Sequence, residues 1–126
     1  MSEEELEEAV TSFLQTSFNS GEPEKAVSEY VGETYIQHNP QVGDGGKAFV
    51  DFVHSFREQF PQLHLEIQRV IAQGDMAVTH SNLKLTAAEP GMAVADFFRS
   101  EDGKLVEHWD VIQAIPDASA NSNGMF

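Results

Sequence analysis

The sequence predicts an α+β fold, with three N-terminal helices packed on a curved four-stranded antiparallel sheet. Three observations carry this reading. Apolar residues recur at helical spacing until about Phe60, the period changes to two from Leu63 onward, and Asp102-Gly103 sits between two strand-like runs near the end. Helices followed by consecutive strands make a layered α+β domain, and a strongly curved sheet would enclose a pocket beneath the helices.

The first helix opens at Ser2, with Glu5 three residues later at capping-box spacing. Leu6, Ala9, Val10, Phe13, Leu14 and Phe18 form its inner stripe, so it spans residues 3 to 19 before Asn19-Ser20-Gly21 end it. Pro23 suits the first turn of a short second helix, with Ala26, Val27, Tyr30 and Val31 inward and Gly32 as the stop. The segment Tyr35-Ile36-Gln37-His38-Asn39-Pro40 leaves the helical pattern, because Pro40 pushes Asn39 toward extended geometry. A third helix runs from near Gly45 to Phe60, capped by Asp44 and closed by Pro61. Phe49, Phe52, Val53, Phe56 and Phe60 make its apolar stripe, while His54 falls off the stripe and reads as exposed.

Leu63, Leu65 and Ile67 then alternate with His64, Glu66 and Gln68, in a strand that continues to Ile71. Gly74-Asp75 and Glu89-Pro90-Gly91 are turns that bound strands over residues 76–85 and 92–99. The last strand covers residues 104–115, and residues 116–126 form a small, polar, irregular tail. No repeat or linker divides the chain, so residues 1–126 are expected to form one domain.

Seven basic against 21 acidic residues give a net charge of -14, which repels phosphate backbones and anionic membranes. Five of those acids, Glu3, Glu4, Glu5, Glu7 and Glu8, open the first helix, where they complement its dipole. The absence of cysteine excludes disulfides, thiolate metal sites and cysteine nucleophiles. No apolar run approaches the roughly 20 residues of a membrane span, and no signal peptide opens the chain. The expectation is a soluble cytoplasmic protein with no nucleic-acid or membrane partner.

The chemistry lies in the last two strands. Alternation puts Asp96 on one face with Phe98, and His108 on one face with Asp110 and Ile112. If those faces coincide, two carboxylates and an imidazole point into one concavity, an arrangement suited to proton transfer. Burial among Phe52, Phe56 and Phe98 would raise Asp96 toward a useful basicity, and Asp110 would push the same way. Trp109 alternates away from His108, toward a partner surface. No His-x-His or His-x-x-x-His spacing marks a metal site, and Gly43–Lys47 lacks the length and the Ser/Thr of a phosphate loop.

The order of elements, the Tyr35–Pro40 motif, Asp96-Phe97-Phe98-Arg99 and the run from Asp102 to Asp110 together resemble the SnoaL-like domain of the nuclear transport factor 2-like superfamily. The ending Ala120–Phe126 is similar to that of bacterial SnoaL-like proteins of aldol-condensation type. The resemblance implies a cone-shaped fold and a homodimer formed through the outer sheet face. It also implies a pocket for a small hydrophobic molecule, and cyclase or isomerase chemistry without cofactor or metal. In the polyketide cyclase of that family an aspartate on the penultimate strand acts as acid and base, aided by a histidine on the strand before. The matching positions here are Asp96 and His80. Asp110 resembles the acidic strand position of the related limonene epoxide hydrolases, but Arg99 alternates to the face opposite Asp96 and is a poor stand-in for their arginine.

The expected catalytic pair is therefore Asp96 and His80, with His38, His108, Asp110, Phe52, Phe56 and Phe98 binding the ligand. The bland alternatives are a buried Asp96 satisfied by Trp109 or Tyr35, a hydrogen-bonded core histidine at His80, and a loop-fixing His38. The alternative function is a noncatalytic ligand-binding or dimerisation domain on the same fold.

Overall fold

The computed structural model describes residues 1–126. Helix α1 spans Glu3–Leu14 and passes directly into a π-helical turn at Gln15–Asn19. Its capping box is formed, with the Ser2 side chain accepting from the Glu5 backbone N–H at 3.0 Å and Glu5 accepting from the Ser2 N–H at 2.9 Å. Helix α2 is Pro23–Tyr30, with the proline at its first turn as expected. Helix α3 is Gly46–Gln59 and buries Phe49 and Val53. Asp44 does not cap it; its carboxylate accepts from the Gln37 N–H at 2.8 Å instead.

The sheet has five strands rather than four: β1 Val31–Gln37, β2 His64–Gln73, β3 Met76–Lys84, β4 Met92–Glu101 and β5 Lys104–Ala114. Their order is β1-β5-β4-β3-β2, and β1 runs parallel to β5. The expected antiparallel meander is therefore present, with one added edge. Val31 begins this added strand instead of ending α2. Local sequence hid it, because Gly32 and Glu33 break the apolar alternation and the partner strand lies more than seventy residues away in the chain.

One face of the sheet carries the core. Phe13 of α1 is fully buried at its centre, stacked on Phe49 with ring centroids 4.9 Å apart and meeting Phe98 edge-on at 5.9 Å. It thereby ties α3 and β4 to α1. The edge strand β2 is held by polar groups from the helical layer. The Asn19 amide donates to the Leu65 carbonyl and accepts from the Leu65 N–H, both at 2.8 Å, and Glu7 accepts from the Ala72 N–H at 3.1 Å. These bonds occupy backbone groups that a bare edge would offer to another chain.

The tail has no helix or strand, as expected, and its last residues return to the outer face, where the Phe126 ring lies 5.3 Å from that of His80. No helix is long and apolar enough to cross a membrane.

Truncating the central ring tests this account of the core. Phe13→Ala should lower unfolding free energy by about 3–5 kcal/mol, read from urea denaturation midpoints at unchanged slope.

Candidate functional site

The β4–β5 hairpin decides which side chains share the site. Asp102 and Gly103 both have positive φ, 52° and 77°, in the primed-turn geometry that follows the natural strand twist. Next to the turn, Glu101 pairs with Lys104 and Ser100 with Leu105. Continued unbroken, that count would set Asp96 opposite Trp109 and turn His108 and Asp110 to the other face. A bulge intervenes. Val106 is left without a partner, so Arg99 pairs with Glu107, Phe98 with His108 and Asp96 with Asp110. Leu105 and Val106 are both buried, and Val106 lies against Gly32, where an added Cβ would stand 3.0 Å from the valine Cγ1. The missing side chain at Gly32 leaves room for the bulge.

The result is a buried polar cluster on the inner face. His108 Nε2 lies 2.8 Å from Asp96 Oδ1 and 4.0 Å from Asp110 Oδ2. Asp96 is 7% exposed and His108 8%. Asn39 donates its amide N–H to Asp110 Oδ2 at 2.8 Å, and Gln37 Oε1 stands 2.6 Å from His108 Nδ1. The imidazole lies between the Tyr35 ring, stacked at 6.4 Å, and the Phe98 ring at 5.0 Å. Asp96 Oδ2 accepts no hydrogen bond from the protein.

Burial pushes the Asp96 carboxyl above the usual carboxylate range; the His108 hydrogen bond and charge oppose this, and the Asp110 charge adds to it. Burial, followed by the charges of Asp96 and Asp110, holds the Tyr35 phenol well above its ordinary value, so the hydroxyl remains a donor. That hydroxyl has no hydrogen-bond partner.

The cluster opens on an apolar cavity of about 370 Å³, large enough for a small organic molecule. Phe18, Phe52 and Phe56 supply its helical wall, Leu83 and Val94 part of its floor, and Asp96 and Asp110 its polar end. A deeper recess of about 50 Å³ lies among Tyr35, Gln37, Phe98 and His108.

The structure thus brings together six of the expected residues: Asp96, His108, Asp110, Phe52, Phe56 and Phe98. It does not bring His80 to them. Asp96 pairs across the strands with Thr79, whereas His80 pairs with Ala95, so His80 projects from the outer face, where it is bonded to Arg69. The imidazole beside Asp96 is that of His108. The parity between β3 and β4 depends on the length of the loop joining them, which strand alternation alone does not set.

His38 also points away. Its neighbours Gln37 and Asn39 serve the site, while its own Nε2 lies 2.7 Å from Glu107 and its ring stacks on Trp109 at 4.8 Å. Tyr35 and Trp109 leave Asp96 unbonded; its one side-chain partner is His108. Arg99 pairs with Glu107 at 2.8 Å on the outer face.

Gln37 and Asn39 are residues of this cluster that sequence reasoning missed. Their signal was alternation within Tyr35–Asn39, which becomes readable once the segment is a strand rather than a loop.

Asp96, His108 and Asp110 each present one ligand atom within 4.8 Å of the others, a spacing that a divalent cation spans. Their donors are taken up separately: His108 Nε2 engages Asp96 Oδ1, and the Asn39 amide occupies Asp110 Oδ2.

The sequence profile of the SnoaL-like domain matches residues 10–108. The chain belongs to the SnoaL-like domain family. Among solved structures, this SnoaL-like chain is similar to TsrD from Streptomyces laurentii, at 21% identity and a TM-score of 0.73, covering 89% of this chain and 90% of that one. It is similar to a candidate polyketide cyclase from Acidithiobacillus ferrooxidans, at 20% identity and a TM-score of 0.68, covering 83% and 85%. It is also similar to a candidate ketosteroid isomerase from Kribbella flavida, at 19% identity and a TM-score of 0.71, covering 97% and 85%. At these identities the likeness carries the nuclear transport factor 2-like fold and not the reaction. No curated protein matches the chain at a significant level.

Because Val106 is the unpaired residue, deleting it should leave Glu107 opposite Arg99 and His108 opposite Phe98, now in an unbroken ladder. Histidine NMR resonances should then still report a ring flanked by Tyr35 and Phe98; a ring turned out to solvent would contradict the register given to the bulge.

The raised Asp96 carboxyl also fixes the sign of a stability effect. The folded state holds that proton more tightly than the unfolded chain, so the favourable contribution is complete below the ordinary carboxylate value and is lost as pH rises through the raised folded value. Asp96→Asn should therefore melt at a higher temperature than wild type at pH 7, with the gap narrowing as pH falls toward 4. A gap independent of pH would show that the carboxyl carries no strain of burial.

Proposed function

We propose that this SnoaL-like protein is a cofactor-free acid–base enzyme acting on a small, neutral, hydrophobic carbonyl compound, by aldol cyclisation or isomerisation. The observation that carries the reading is the buried 2.8 Å contact between Asp96 and His108 at the polar end of an apolar cavity. Asp96 Oδ1 is engaged by the imidazole, and Oδ2 is left without a protein donor at a residue that lines the cavity.

In this reading Oδ2 takes the proton from a carbon beside the substrate carbonyl, and His108 holds the carboxyl in position while the proton is carried. The raised basicity of Asp96 suits it to that transfer better than an ordinary carboxylate. The unpartnered Tyr35 hydroxyl, held protonated, lies in the deeper recess beside the pair, where it is a donor for an oxygen that enters from the cavity. Two carboxylates and no lysine or arginine line the cavity, which disfavours an anionic substrate.

The expected homodimer through the outer sheet face draws support from Ile36, Ile71, Phe97 and Val111, all exposed there.

The reading is tested by deuterium exchange at the acidic carbon of simple β-dicarbonyl and polyketide-like compounds. Wild type should exchange, Asp96→Asn should lose about 10²–10⁴-fold while staying folded, and His80→Ala should exchange like wild type. Exchange that survives in Asp96→Asn would sink the assignment. No exchange across the panel would favour a noncatalytic ligand-binding domain on the same fold.

A further inference from the structure

Gln37 is the one inner-face polar residue whose contacts converge on a single atom. Its Oε1 receives the backbone N–H of His38 at 3.1 Å and of Asn39 at 3.0 Å, and His108 Nδ1 lies 2.6 Å from it. Backbone N–H groups only donate, so the atom they meet is the amide oxygen and not its NH₂. Reversing the amide would set its N–H donors against the two backbone ones. An oxygen of this kind has no proton to give, and the contact with His108 therefore requires the proton to sit on Nδ1.

The parallel pairing of Gln37 with His108 sets the two side chains next to one another on the inner face. We propose that Gln37 is a positioning residue for the Asp96–His108 pair: it holds the Nδ1–H of His108, so that Nε2 faces Asp96 and one proton is shared across that contact. With Nδ1 protonated, the 2.8 Å bond to Asp96 Oδ1 needs one more proton, carried either by the carboxyl or by Nε2. Both forms hold the same total. Only the form with the proton on Nε2 leaves Asp96 a free carboxylate, and a proton then taken up at Oδ2 leaves the bond from Nε2–H to Oδ1 in place.

The groups facing the imidazole support this arrangement. Asp96 approaches from β4, Asp110 from β5 and Tyr35 from β1, while the helical side contributes apolar residues, Phe13 and Phe49 among them. None of these offers an alternative acceptor for Nδ1.

The proposal deepens the acid–base reading, yet its test reads the imidazole directly and needs no substrate. Long-range ¹H–¹⁵N correlation spectra of uniformly labelled protein distinguish protonated from unprotonated ring nitrogens, with the His108 signals assigned by their loss in His108→Gln. In wild type, Nδ1 should be protonated. In Gln37→Met the acceptor is gone, and Nδ1 should become the unprotonated nitrogen as the proton moves to Nε2 opposite Asp96. An unprotonated Nδ1 in wild type, or an unchanged pattern in folded Gln37→Met, would overturn the proposal.

If Gln37→Met fails to fold, Gln37→Glu decides, because its carboxylate still accepts from His38, Asn39 and His108. Nδ1 should then stay protonated as in wild type; an unprotonated Nδ1 overturns the proposal. Absence of deuterium exchange in wild type would count against the enzymatic reading alone, leaving the tautomer assignment to stand or fall on the NMR result.

Discussion

The bulge at Val106 is the constraint on which the rest of the site depends. A two-residue turn closes the β4–β5 hairpin so rigidly that register follows from it, and side chains alternate with a strict period of two. One unpaired residue between the turn and the cluster reverses that parity. Were Val106 instead paired with Arg99, Asp96 would face His108 and Asp110 across the thickness of the sheet rather than along one surface. With the bulge, Asp96, Phe98, His108 and Asp110 share the concave face, and Phe97, Arg99, Glu107 and Trp109 share the convex one. The outer group satisfies itself through the contacts of Glu107 with Arg99 and His38.

The added strand completes the site from the other side. Tyr35 and Gln37 extend the inner face beyond β5, and Asn39, just past the strand end, reaches Asp110. Two carboxylates placed opposite one another would repel if left alone. Here one is tied to an imidazole and the other to an amide, so each has a donor inside a region that excludes most water. Phe13, packed between α3 and the sheet, closes the floor behind this cluster, while Phe18, Phe52 and Phe56 leave the front open. The core thus excludes water from the polar end without filling the cavity. A carboxyl held above its ordinary range is a local cost to stability, of the kind that functional sites carry and the surrounding core offsets.

Much of this architecture was legible in the chain. Helical spacing placed α1, α2 and α3 to within a residue or two at most ends, period-two alternation placed β2 to β5, and Asp102-Gly103 marked the hairpin. Asp96 with Phe98, and His108 with Asp110, were correctly paired along their own strands, because alternation is a local property of extended backbone. Phe52 and Phe56 followed from the stripe of α3. Local signals reach this far because each depends on residues within one or two turns of the chain.

What joined those pieces was decided by tertiary structure. Strand β1 exists through parallel pairing with β5, a contact between distant segments that no local pattern announces. The choice of His108 over His80 as the imidazole beside Asp96 turns on parity across two connections, the loop after β3 and the bulge in β5. A one-residue shift of register at either would exchange the faces. The sequence by itself determined which residues form each element and which of them could ionise. The tertiary structure decided which of those residues meet, because register between strands is set by turns, bulges and the packing of Val106 against Gly32, not by the strands' own composition.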